Sequence, residues 1–101
     1  MVGNGMGAAV ELEAELAMLP ATSTPGARRH FTDLIRERVG GDLDVRPETD
    51  RAGYLHDLVT ALLIRAGGLP ALMAVVSHLG PSPAEESAIR SLIGRLEMPP
   101  E

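Results

Sequence analysis

Apolar residues along this chain recur every three to four positions, and glycine and proline cut the pattern into five stretches. In the first, 8–19, Leu12, Leu16 and Leu19 share one helical face, Ala8 and Ala9 extend it, and Pro20 ends it. The second opens on Thr24 as cap and Pro25 at the first helical position. Phe31, Leu34, Ile35 and Val39 form its stripe, and Gly40-Gly41 stop it. The third, about 50–66, starts from Thr49 or Asp50 and carries Leu55, Leu58, Val59, Leu62 and Leu63. Tyr54, Ala61 and Ile64 broaden that stripe, and the pattern predicts the central helix of the fold here. Gly67-Gly68 then break the chain, and Leu69, Leu72, Met73, Val76 and Leu79 mark a fourth helix, with Pro70 in its first turn and Gly80 at its end. Ser82-Pro83-Ala84-Glu85 reads as a capping box, and Ile89, Leu92, Ile93 and Leu96 stripe the fifth. Short connections make successive helices neighbours, so the expected fold class is all-α, a compact bundle of five or six helices. The bundle is expected over 8–97, with a flexible leader at 1–7 and a flexible tail at 98–101.

The longest connection, 42–48, alternates Leu43 and Val45 with charged residues and is expected to tuck those two side chains under the bundle. With 101 residues and only Phe31 and Tyr54 as aromatics, the core must be aliphatic. Met18 and Met73 are expected to face into it. Each fully buried Leu contributes about 1.5–3 kcal/mol, enough in sum for one marginally stable domain.

Net charge changes the picture of partners. Fourteen acidic residues outweigh nine basic ones, giving −5, and all nine basic residues are arginine. A protein that neutralises phosphates normally shows a basic stripe, so nucleic acid is not the expected partner. The absence of Cys excludes disulfides and thiolate metal sites. The first seven residues do not read as a signal peptide, and no apolar run approaches the ~20 residues of a membrane span. A cytoplasmic location without membrane contact is the corresponding expectation.

Candidate chemistry is thin. His30, His56 and His78 are not at metal-ligand spacing. Gly41-Asp42-Leu43-Asp44 resembles the start of a calcium loop, but Arg46, Pro47 and Gly53 occupy positions that need a ligand, a turn glycine and a glutamate. Glu85-Glu86 sit in a first helical turn, where they complement the dipole. Ser77-His78 are sequence neighbours and do not face each other on a helix. Gly3-Asn4-Gly5-Met6-Gly7 lacks the strand and the Gly-Lys-Ser/Thr of a phosphate loop. No catalytic residue, metal or cofactor is expected. What remains is charge: Arg28, Arg29, Arg36 and Arg38 cluster on one helix, and Asp42, Asp44, Glu48 and Asp50 crowd the long loop. These eight form the candidate interface, as opposite-charge patches that pair between copies or with a related domain.

Several segments together are similar to a known family. They are Leu16-Ala17-Met18-Leu19-Pro20, Ala27-Arg28-Arg29-His30-Phe31, Val45-Arg46-Pro47, Ala66-Gly67-Gly68-Leu69-Pro70-Ala71-Leu72 and Ala88-Ile89-Arg90-Ser91-Leu92. In this order they resemble the bacterial effector-associated domains over roughly 9–97. The resemblance implies a small death-fold-like module without enzymatic activity, an adaptor in bacterial conflict and signalling systems that recruits partners through like-with-like contacts. A death fold has six helices where the pattern gives five. The sixth would be short and lie in 42–49, or be absent. The rival expectation is a small DNA-binding regulator or antitoxin-like protein, with the Leu69–Leu96 helix pair as a helix-turn-helix.

Overall fold

The computed structural model describes residues 4–41 and 43–97. Five α-helices, α1 (Asn4–Ala17), α2 (Pro25–Val39), α3 (Arg51–Leu63), α4 (Gly68–Leu79) and α5 (Pro83–Glu97), and one 3-10 turn (Pro20–Thr22) make up its regular structure. No strand occurs among the described residues. The all-α bundle read from the pattern is the observed class. Helix α1 begins earlier than expected, so Asn4 to Gly7 are helical rather than leader. Residues 1–3 and the expected tail 98–101 lie outside the described residues.

Local signals set most helix ends. Thr24 Oγ1 accepts from the Ala27 amide at 3.1 Å, and Pro25 follows it at the first helical position. Asp50 accepts from the Gly53 amide at 3.3 Å, which settles the α3 cap in its favour over Thr49. Ser82 Oγ accepts from the Glu85 amide and donates to Glu85 Oε1, both at 3.2 Å. Gly40 and Gly80 close α2 and α4 with φ of 72° and 71°, a left-handed conformation that costs glycine little.

The core is aliphatic with Phe31 and Tyr54 at its heart, both fully buried. Helix α1 lies against α3 and α5; α4 packs on α2, α3 and α5. The central helix is therefore α4, not α3 as the pattern suggested. The reason is visible in burial. Gly68, Leu69, Ala71, Leu72, Met73, Val75 and Val76 of α4 are all buried, a broader face than a one-sided stripe. On α3 the stripe stops at Leu62, while Leu63 is 42% and Ile64 85% exposed. Leu43 and Val45 are buried, as their alternation implied.

No helix forms in the described part of 42–49; the extra short helical element is the 3-10 turn after α1. That turn finishes α1, since Thr22 Oγ1 bonds the carbonyls of Leu16 at 2.8 Å and Leu19 at 3.1 Å. The α3–α4 turn runs on backbone bonds from Arg65 N to Leu62 O, Gly68 N to Arg65 O and Ala71 N to Gly67 O. Gly67 takes a φ of 78°. Gly68 lies so close to the preceding helix that a Cβ would stand 2.4 Å from the Leu62 carbonyl oxygen.

Candidate protein interaction surface

The four arginines of α2 have different fates. Arg28 is buried, 5% exposed, and does not belong to any contact face. Its Nε donates to Pro47 O at 2.9 Å, Nη1 to Thr22 O at 2.9 Å and Nη2 to Thr49 O at 3.2 Å. The guanidinium also sits 5.9 Å from the Tyr54 ring centroid. A buried cation without a carboxylate is tolerable when its fork of N–H groups finds acceptors, and three carbonyls provide them. Arg36 is half-buried, bonding Leu43 O at 3.0 Å and Asp33 at 3.3 Å. Arg29 and Arg38 are exposed.

The acidic set is divided in the same way. Glu48 reaches back to Arg29 of its own chain at 4.0 Å, between two largely exposed side chains, a pairing worth about 0–1 kcal/mol. Asp50 is occupied in capping α3. Asp44 is exposed, and Asp42 lies outside the described residues. Folding thus lays the loop along α2, so the two charge sets are neighbours in one molecule rather than separate patches. Arg29, Arg38, Asp44, Glu48 and Asp50 are the described members that are exposed, Asp50 while also serving as the α3 cap.

Sequence reasoning missed the polar cluster beneath this surface. Arg51 Nε joins Arg28 on the Thr22 carbonyl at 3.0 Å, and its Nη1 bonds Ala17 O at 3.0 Å. Thr32 Oγ1 donates to Arg28 O at 2.7 Å and lies 2.8 Å from the Tyr54 hydroxyl. Burial pushes the Tyr54 phenol up to about 12 from 10.0, against the opposing pull of the Thr32 hydrogen bond and the nearby arginines. A polar spacing of Arg28, Thr32 and Arg36 along α2, every fourth residue, was the available signal: it sits beside the Phe31–Ile35 stripe and not opposite it.

Apolar side chains left outside supply the other half of the surface. Val10 is 63% and Met18 71% exposed, the latter against the expectation that it faces the core. Met18 follows the last turn of α1, which carries it past Leu16 and Leu19 to the solvent side. Leu63 and Ile64 project at the end of α3. A groove of about 440 Å³ runs between the 3-10 turn, α2, α4 and the start of α5, walled by Leu19, Pro20, Phe31, Val76, Leu79 and Pro81, with His30 and Glu85 among its polar residues.

Further polar groups pair within and between helices. His56 Nδ1 meets Glu13 at 3.3 Å, Arg95 meets Glu11 at 3.8 Å and Arg90 meets Glu86 at 2.8 Å. Ser77 Oγ donates to Glu86 at 3.0 Å. A phosphate approaching α5 as a recognition helix would meet Glu85 and Glu86 first. Among the described residues, no three His, Cys, Asp or Glu groups come together as a metal site, and no helix is long and apolar enough to cross a membrane.

The described residues form a compact all-helical block with capped helix ends and several aliphatic side chains exposed. Effector-associated domain 2 is the family whose model matches, over residues 14–94, from within α1 to within α5. The chain belongs to that family, one of non-catalytic modules associated with effectors. No curated protein and no solved structure matched the chain.

Proposed function

We propose that this domain is a non-enzymatic adaptor that recruits or assembles effectors in bacterial defence or signalling by binding a second copy of itself or a related helical domain. The observation that carries the reading is the exposure of Val10 and Leu63 on helices whose other faces already fill the core, and of Met18 and Ile64 in the turns that follow those helices. Such side chains gain only from a partner, at about 25 cal/mol for each Å² of apolar surface covered. Family membership supports the same reading, because an effector-associated module acts through the protein it accompanies. The exposed charges Arg29, Arg38, Asp44 and Glu48 then govern encounter rate and register rather than affinity.

Light scattering coupled to size exclusion, run across a salt series with the domain alone and mixed with related effector-associated domains, tests this. A complex that forms in at least one pairing is the expected result. A chain that stays monomeric and binds none of the related domains removes the reading.

A further inference from the structure

Helix α1 carries two apolar faces. Its inner face is Ala8, Leu12 and Leu16, all buried. Its outer face, nearly opposite at 100° per residue, is Gly7, Val10 and Ala14, and Met18 extends that line in the turn just past the helix end; all four are exposed. No charge interrupts this ridge. Each long edge is bordered by one ion pair: Glu11 with Arg95 of α5 on one side, Glu13 with His56 of α3 on the other. An apolar strip inside a polar border is the anatomy of a small interface.

We infer that the outer ridge of α1 is a self-association surface, on which α1 of a second copy packs antiparallel. This inference rests on the adaptor reading above and names the surface it uses.

Two properties point to a second copy as occupant. The ridge alternates small and large: Gly7, Val10, Ala14, Met18. Reversed on itself, it sets Met18 against Gly7 and Val10 against Ala14, so a large side chain meets a small one at every step. The borders match themselves as well. About a two-fold axis crossing the helix pair, each edge faces its own copy. Glu11 then lies opposite Arg95 of the second copy, and the reverse, so that edge does not present only like charges.

The same geometry sets the strength. One face of a 14-residue helix, about 20 Å long and 10 Å across, is smaller than the ~800 Å² each partner gives to a standard interface. The dimer is weak, and it gains when copies are held together on a larger assembly.

Sedimentation equilibrium on the wild-type domain and on Val10→Glu and Met18→Glu tests the ridge, with circular dichroism to confirm that each variant keeps its helices. Both side chains are exposed, so neither substitution disturbs the core. Self-association is expected by ~1 mM, weakened about tenfold or more by each glutamate. The register is read by cross-linking. Because the chain has no cysteine, a Val10→Cys protein mixed with an Ala14→Cys protein is expected to form the mixed disulfide in preference to either self-linked product. Preferential self-linking of Val10→Cys overturns the antiparallel arrangement. A wild type that associates but is indifferent to both glutamates overturns the ridge and leaves the adaptor reading standing. A wild type monomeric at ~1 mM overturns the ridge too, and the adaptor reading is then decided separately by binding to related domains.

Discussion

The junctions on either side of α3 are built by opposite means. Between α2 and α3 the chain spends the segment 43–50 without helix, and two of its carbonyls are satisfied by a side chain from elsewhere: Arg28 collects Pro47 and Thr49, and ties them to Thr22 of the 3-10 turn. Between α3 and α4 four residues suffice, and the backbone bonds itself through Leu62, Arg65 and Gly67. The first solution needs one residue with many donors. The second needs residues with no side chain at all, Gly67 for its φ and Gly68 for its closeness to Leu62 O. Buried backbone groups must be paired in either case, and the difference lies in whether the partner is local.

Breaking the Arg28 arrangement is expected to have the largest effect. Arg28→Ala takes the side-chain donor from the Pro47 and Thr49 carbonyls, leaves Thr22 O to Arg51 alone and opens a gap beside Tyr54, destabilising the domain by about 3 kcal/mol or more in chemical denaturation. Arg28→Lys recovers little, because one ammonium cannot reproduce the planar fork.

The Tyr54 phenol offers a reversible way to probe the same region. The chain has no Lys or Cys and a single Tyr, so Tyr54 is the only side chain besides arginine whose ordinary titration is alkaline. Its pKa in the fold is about 12 against 10.0 outside it. Between those values the folded chain keeps a proton that the unfolded chain has lost. Stability is therefore complete below pH 10 and declines as pH rises, by about 2–3 kcal/mol at pH 12. Denaturation midpoints measured across this window show the decline, and Tyr54→Phe abolishes it.

At the glycine junction the two positions separate by cause. Gly68→Ala drives a Cβ into backbone and is expected to cost about 2 kcal/mol. Gly67→Ala meets nothing within 4 Å and suffers only the left-handed backbone, about 1 kcal/mol. Thermal or denaturant unfolding of the pair resolves the order; equal costs would show that close approach is not the constraint at Gly68.

The same contrast explains what could be read from the residues alone. Thr24-Pro25, Gly40, Gly67-Gly68 and Ser82-Pro83 act within a turn of where they stand, so their meaning is local and the helices followed from it. Leu43 and Val45 were legible because alternation needs no partner to be named. Arg28 was not: its acceptors on the loop lie 19 and 21 residues away, and the spacing of Arg28, Thr32 and Arg36 beside the apolar stripe hints at burial without naming those acceptors. Charge grouping therefore suggested a contact face where the fold had already used half the charges internally. Met18 and Ile64 misled for a related reason. Each continues an apolar stripe in sequence, but the helix stops before either one, and the turn that follows carries it out to water.

The acceptors around Arg28 and Arg51 are amide oxygens, not carboxylates. The ion pairs on the outside, such as Arg29–Glu48, join exposed side chains, whereas this inner wiring runs from guanidinium to main-chain oxygen. Substitutions that rewrite the exterior charge leave these inner bonds in place, so surface and scaffold can vary independently.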